Sequence, residues 1–180
     1  MNVAPHALSP RVGDSGARGS VNDPPPSLPL TPSAQTEPAF ELLRDNRFAG
    51  AEHELKRAHN AYLPGRWDDA ISEANQSFES AMKHALEIEG RGYDPGDTAG
   101  VLVKKVVDSS LFAGLDEHYR GKLKYALAAK LPPLPNPLDH GAGAKPREGT
   151  QELAAHALHI AAADIVLVVS ALGTLRASRH

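Results

Sequence analysis

The chain has no cysteine, which excludes disulfides, thiolate nucleophiles and cysteine-held metal. Aromatic residues are few: one Trp, four Tyr and four Phe in 180 residues. Ala, Leu and Val must therefore fill the core, a composition suited to close helix–helix contacts. Neither sign of charge dominates. Nineteen Lys and Arg stand against 22 Asp and Glu, a formal net charge of -3, so the chain lacks the strongly basic signature of a protein that holds nucleic acid by charge alone. No uninterrupted apolar run approaches the roughly 20 residues of a membrane span. The longest runs from Ile165 to Val169, between Asp164 and Ser170. The first 20 residues lack the apolar stretch of a signal peptide. No Asn-Gly hairpin with alternating flanks occurs, nor a P-loop, HExxH or GxSxG. The expectation is a soluble cytoplasmic protein, off the membrane, with no metal and no cofactor.

Residues 1–36 differ in composition from the rest. They hold seven prolines, including the run at 24–26, with many Gly and Ser. Such a segment buries too little apolar surface to offset the entropy of ordering, so it reads as a disordered tail. From residue 37 to 176 the period is helical. "PAFELLRDNRF" is a short apolar piece. "AEHELKRAHNAYL" places Leu55, Ala58 or His59, and Tyr62 on one face, and Pro64-Gly65 ends it. The clearest helix, from Arg66 to Gly90, carries Trp67, Ala70, Ile71, Ala74, Phe78, Ala81, Met82, Ala85 and Leu86 as one apolar stripe. Asp97 is a candidate N-cap for a helix with Val101, Leu102, Val106 and Val107 inside. Asp116 can cap the next, with Tyr119, Leu123, Ala126 and Leu127 inward. Thr150 can cap the last, with Leu153, Ala157, Ile160, Asp164 or Ala161, Val168 and Leu172 inward. "DIVLVV" has strand propensity, but it continues an Ala-rich helix without a breaker and reads as a buried helix end. The fold class is all-α, a four- to five-helix bundle.

Between the last two helices lies "LPPLPNPLDHGAG", residues 131–143. Its prolines stop helix and stiffen the loop. His140 titrates near neutral pH and sits beside Gly141 and Gly143, where backbone can approach a ligand. Asn136 offers amide groups and Asp139 could orient the ring. The plain alternative is a histidine bonded within its own loop. His156 and His159 share a helix face, but no third ligand converges with them, and partly buried helix positions explain them. Glu79 and Lys83 form an i,i+4 pair whose ordinary reading is a salt bridge worth a few tenths of a kcal/mol.

Four stretches together have a family resemblance: "GRWDDAISEANQSFESAMKHAL", "YDPGDT", "LPPLPNPLDHGAG" and "ELAAHALHIAAADIVLVV". They resemble the C-terminal domain of abortive-infection proteins, part of the HEPN superfamily of small helical domains, over roughly residues 50 to 175. The family's "ES..K" element matches Glu79, Ser80 and Lys83. Its Arg-Asn…His-Gly loop matches Asn136, His140 and Gly141. The Arg does not match: Pro135 stands in its place. The resemblance implies a prokaryotic anti-phage defence domain, and active members are metal-independent endoribonucleases. A guanidinium grips the scissile phosphate and an imidazole moves the proton of the ribose 2'-OH. Pro135 can do none of the guanidinium's work, so the primary expectation is an RNA- or partner-binding domain with a degenerate nuclease motif. The alternatives are an endoribonuclease that uses His140 with Lys130, Lys145 or Arg147 as a substitute cation, and a helical adaptor with no RNA role. Candidate catalytic residues are His140, Asn136 and Glu79. Candidate substrate-binding residues are Lys83, Gly141, Lys145 and Arg147. The resemblance further implies a homodimer, with RNA rather than DNA as the nucleic-acid partner. Arg47 and His53 also fit the Arg-to-His spacing but lack the Asn and Gly, and read as chance.

Overall fold

The structure, a computed structural model, describes residues 33–44, 46–129 and 149–177. Among the described residues six α-helices follow one another: α1 (Ser33–Leu43), α2 (Ala49–Tyr62), α3 (Trp67–Ile88), α4 (Ala99–Val107), α5 (Glu117–Ala129) and α6 (Gln151–Ala177). Short 3-10 turns lie at Asn46–Phe48 and Ser110–Phe112, and no strand occurs among the described residues. The all-α class holds, with one helix more than the expected four to five.

The centre of the bundle is α3. It packs against α2, α6 and α4. Every residue of the stripe read from its sequence is buried except Trp67, which is partly covered. Phe78, Met82 and Leu86 are fully buried, each worth on the order of 2 kcal/mol of apolar transfer. Ala70, Ala74, Ala81 and Ala85 on α3 meet a helix equally rich in buried alanine, Ala154, Ala157 and Ala161 on α6. Small side chains let the helix axes approach closely. The Ser77 hydroxyl donates to the Ala51 carbonyl at 2.7 Å and fixes the antiparallel register of α2 on α3. Gly65 (φ 83°) and Gly90 (φ 71°) supply the left-handed turns that end α2 and α3, as expected at both positions.

The caps at Asp116 and Thr150 form. Asp116 Oδ1 accepts from the Tyr119 amide at 2.9 Å, and Thr150 Oγ1 accepts from the Leu153 amide at 3.3 Å. Asp97 does not cap α4; the N-cap residue is Thr98. The Asp97 carboxylate instead pairs with Lys105 and accepts from the Asp94 amide, which closes the 93–98 turn on itself. Most inward assignments hold: Leu102, Val106 and Val107 on α4, Leu127 on α5, and Ala157, Ala161, Asp164, Val168 and Leu172 on α6 are buried. Three do not: Val101 is exposed while Val103 is buried, Tyr119 is 59% exposed, and Leu153 is 44% exposed while Ala154 is buried. In helices rich in apolar residues the margin of the inner face is chosen by contacts.

Helix α1 starts at Ser33, inside the segment read as tail, and carries Pro38 in its interior. Thr36, Ala39 and Leu43 are buried against the bundle, chiefly against α6. At 27 residues, α6 contains an 18-residue window of mean hydropathy 2.0 and is long and apolar enough to cross a membrane, contrary to the reading from uninterrupted runs. His156, His159 and Asp164 break each run without lowering the average enough. Its buried side nonetheless forms part of the bundle core with α3 and α1.

Candidate functional site

The polar edge of α3 follows helical spacing: Asp68, Ser72, Asn75, Glu79 and Lys83 recur at steps of three or four. Glu79 and Lys83, the two candidate site residues within the described structure, are both half-buried on this edge. Burial is the main cause that pushes the Glu79 carboxyl above its ordinary range; the Lys83 ammonium opposes it and the Glu54 carboxylate reinforces it. Glu54 belongs to α2, and its Oε2 is buried with no hydrogen-bond partner among the described residues. A second carboxylate, on α2, therefore acts on Glu79 across the α2–α3 seam, with one ammonium beside it.

Lys83 also reaches the 93–98 turn. Its Nζ lies 6.0 Å from the centroid of the Tyr93 ring, in cation–π range, and its charge helps hold the Asp97 carboxyl low, behind the larger effect of Lys105. The Tyr93 hydroxyl donates to Glu87 Oε1 at 2.6 Å. Two stretches singled out in the sequence, "ESAMK" and "YDPGDT", thus meet in space. Sequence alone did not join them, because nothing in the spacing of residues 79–83 and 93–98 specifies that the chain doubles back after Gly90.

Asn136, His140, Gly141, Lys145 and Arg147 lie outside the described residues, as do Pro135 and Lys130. The structure fixes the point where the chain returns. The Gly149 amide donates to Asp68 Oδ1 at 2.9 Å, which ties the start of α6 to the start of α3. A Cβ at Gly149 would lie 2.7 Å from that oxygen and 3.3 Å from the Asp68 backbone nitrogen, so only glycine fits this approach without a shift. Gln151 Nε2 donates to the Tyr62 hydroxyl at 3.3 Å at the same end. Asp68 and Glu79 are eleven residues apart on α3, about 16 Å along the axis and on nearly the same side. Gly149 was missed in the sequence, where a glycine after a loop carries no mark of close approach.

Four other imidazoles lie on α2 and α6. His53 is an exposed residue of α2. His156 is exposed; His159 is half-buried, lowered in pKa first by burial and then by His156, and its Nε2 is buried without a partner among the described residues. His59 shares a 2.7 Å hydrogen bond with the buried Thr36 of α1 and lies 5.5 Å from the Phe40 ring; burial, then His159, lowers its pKa. Among the described residues, no three His, Asp or Glu side chains converge as metal ligands.

An all-α bundle closed by one long apolar helix, with a carboxylate–ammonium edge on its central helix, defines the class. Residues 49–172 match the Abi_C family, described as a HEPN-like domain. The match covers most of the chain and all of α2 through α5, and the chain belongs to that family. No curated protein and no solved structure matches it. Helix α1 falls outside the matched segment yet contributes Ala39 and Leu43 to the core.

Proposed function

We propose that the chain is the RNA-binding domain of a prokaryotic abortive-infection protein, with a nuclease motif made degenerate at Pro135. The observation that carries this reading is the motif itself: within a HEPN-like domain, Asn136, His140 and Gly141 stand in place while a proline occupies the position of the phosphate-gripping Arg. Loss of one such electrostatic contact costs on the order of a hundred- to a thousand-fold in rate. Binding needs less: cations, amides and one imidazole suffice.

A second reading, a metal-independent endoribonuclease with a substituted cation, is favoured by the half-buried Glu79. Burial raises its carboxyl above the ordinary range, the direction a general acid needs. RNA cleavage in EDTA separates the two. The primary reading predicts no cleavage above buffer by wild type or His140→Ala. Cleavage by wild type that disappears in His140→Ala establishes the second.

The domain acts as a cytoplasmic homodimer in this proposal, with the outward side of α6 as the self-complementary face. Leu153, Ile160, Ala163 and Leu167 recur there at heptad-like steps, and Asp164, the one charge between Glu152 and Arg176, is buried. Light scattering should give twice the chain mass for wild type and a monomer for Leu167→Glu.

A further inference from the structure

Helix α5 presents two unlike sides. Toward α4 it turns Arg120, Leu123, Lys124 and Leu127, at helical spacing. Leu127 is 1% exposed, and Lys124 Nζ pairs with Asp108 Oδ1 at 2.5 Å. Outward it turns His118, Tyr119, Lys122 and Tyr125, all exposed. Tyr125 is 78% exposed and Tyr119 59%, and they are the exposed aromatic side chains among the described residues. In a chain so sparing of aromatics, two on one solvent-facing arc of one helix call for a cause.

The arc has a definite chemistry. Lys122 lies between the tyrosines, its Nζ 5.9 Å from the Tyr119 ring centroid. The His118 and Tyr119 rings meet edge to face, centroids 5.8 Å apart. No carboxylate lies on the arc; Glu117 stands at its rim and is held by Arg120 at 2.9 Å. No Leu, Ile or Val lies on it either. Gly121 opens a depression of about 430 Å³, lined also by Glu117, His118, Lys122 and Tyr125. A protein partner docking by hydrophobic burial would want aliphatic anchors, which the arc lacks. Flat rings interleaved with cations suit unpaired bases and their phosphates. A duplex hides its base faces, so the ligand is a single strand.

We propose that this face of α5 is a stacking platform for single-stranded RNA, with Tyr119 and Tyr125 each under a base of one strand and Lys122 and His118 at the phosphates. The proposal rests on the RNA-binding reading above. The two tyrosines are six residues apart, about 9 Å along the helix and about 120° around it, so the strand crosses the arc obliquely and spans a few nucleotides between them. The strand would then lie on the helix that directly precedes, in sequence, the segment with Asn136 and His140.

Fluorescence anisotropy on the full chain tests it, with labelled oligouridine and oligoadenosine RNA about 12 nucleotides long in EDTA. Wild type should bind both oligonucleotides. Tyr119→Ala and Tyr125→Ala should each weaken binding by about five-fold or more, the loss expected for one stacked base. Tyr119→Phe and Tyr125→Phe keep the rings and should bind as wild type does. Lys122→Glu should weaken binding and reduce its salt dependence. Circular dichroism should show unchanged folding in all of them, because the side chains are exposed. Full affinity in the Tyr119→Ala/Tyr125→Ala double variant overturns the platform while leaving RNA binding intact. No RNA binding by wild type overturns both readings, and a matched double variant that loses a protein ligand instead would reassign the face.

Discussion

Helices α3 and α5 show how differently one chain can use a helix. α3 has neighbours on most sides, and buried side chains recur along its whole length. α5 rests mainly on α4, and half of its circumference faces solvent. The first is shaped by packing and tolerates little change. The second is held by one apolar contact and an ion pair, which leaves its outer residues free to serve a ligand. On the proposed α5 platform, stability and recognition are divided between helices rather than between ends of one helix.

The comparison can be broken by mutation. The largest effect should come from Phe78→Ala on α3, at about 3–5 kcal/mol of unfolding free energy, against less than about 1.5 kcal/mol for Leu123→Ala on α5. Urea denaturation measures both; equal losses would mean that α5 is as integral as α3. The two glycines should differ in sign. Gly90→Ala at the end of α3 forces a side chain into φ 71° and should cost about 1–2 kcal/mol. Gly121→Ala, within α5 and with open space at the Cβ position, should stabilise by about 0.5–1 kcal/mol.

Acid should act on the two regions at different pH. His59 and His159, beside α1, have pKa values lowered below 6.5. Above that value both folded and unfolded states hold them neutral. Below it the unfolded chain takes up protons first, so stability falls as pH drops from 6.5 toward the folded-state values. Glu37, Arg44, Glu52 and Lys56 line the same groove, and they pair among themselves as Glu37–Arg44 and Glu52–Lys56. The α5 side responds later. Asp108 is held below its ordinary 3.8 chiefly by Lys124, so its contribution is present above 3.8 and is lost as pH falls through the folded value. Urea midpoints of wild type should decline across the first window, and those of His59→Gln should decline less. The smallest effect belongs to Tyr125→Ala, within about 0.5 kcal/mol of wild type, as for a side chain that touches only solvent.

How much was legible beforehand follows the same division. The α3 stripe, the stops at Gly65 and Gly90, and the caps at Asp116 and Thr150 were readable because each is local: a period, a φ, or a side chain three residues from an amide. The inner sides of α4, α5 and α6 were read for the most part, and the misses, Val101, Tyr119 and Leu153, stand at their margins. Where apolar residues extend around a helix, periodicity loses contrast at the edge of the face, and Tyr119 looks as fit for a core as for a surface. The site divided likewise. Glu79 and Lys83 were recognised as a pair on one face, but Glu54, Tyr93 and the Asp68–Gly149 tie bring together residues 10 to 81 apart in sequence, at separations that carry no local signal.

The sequence by itself determined that the chain is helical, where its strongest helix begins and ends, and that a proline replaces the motif Arg, since those follow from backbone preference and residue identity. Tertiary structure alone decided which residues at the margin of each apolar face turn inward, that Glu79 shares its surroundings with Glu54, and that the tyrosines of α5 face solvent. Those outcomes depend on competition among many weak, non-directional contacts between distant segments, and no single stretch of chain contains its own answer.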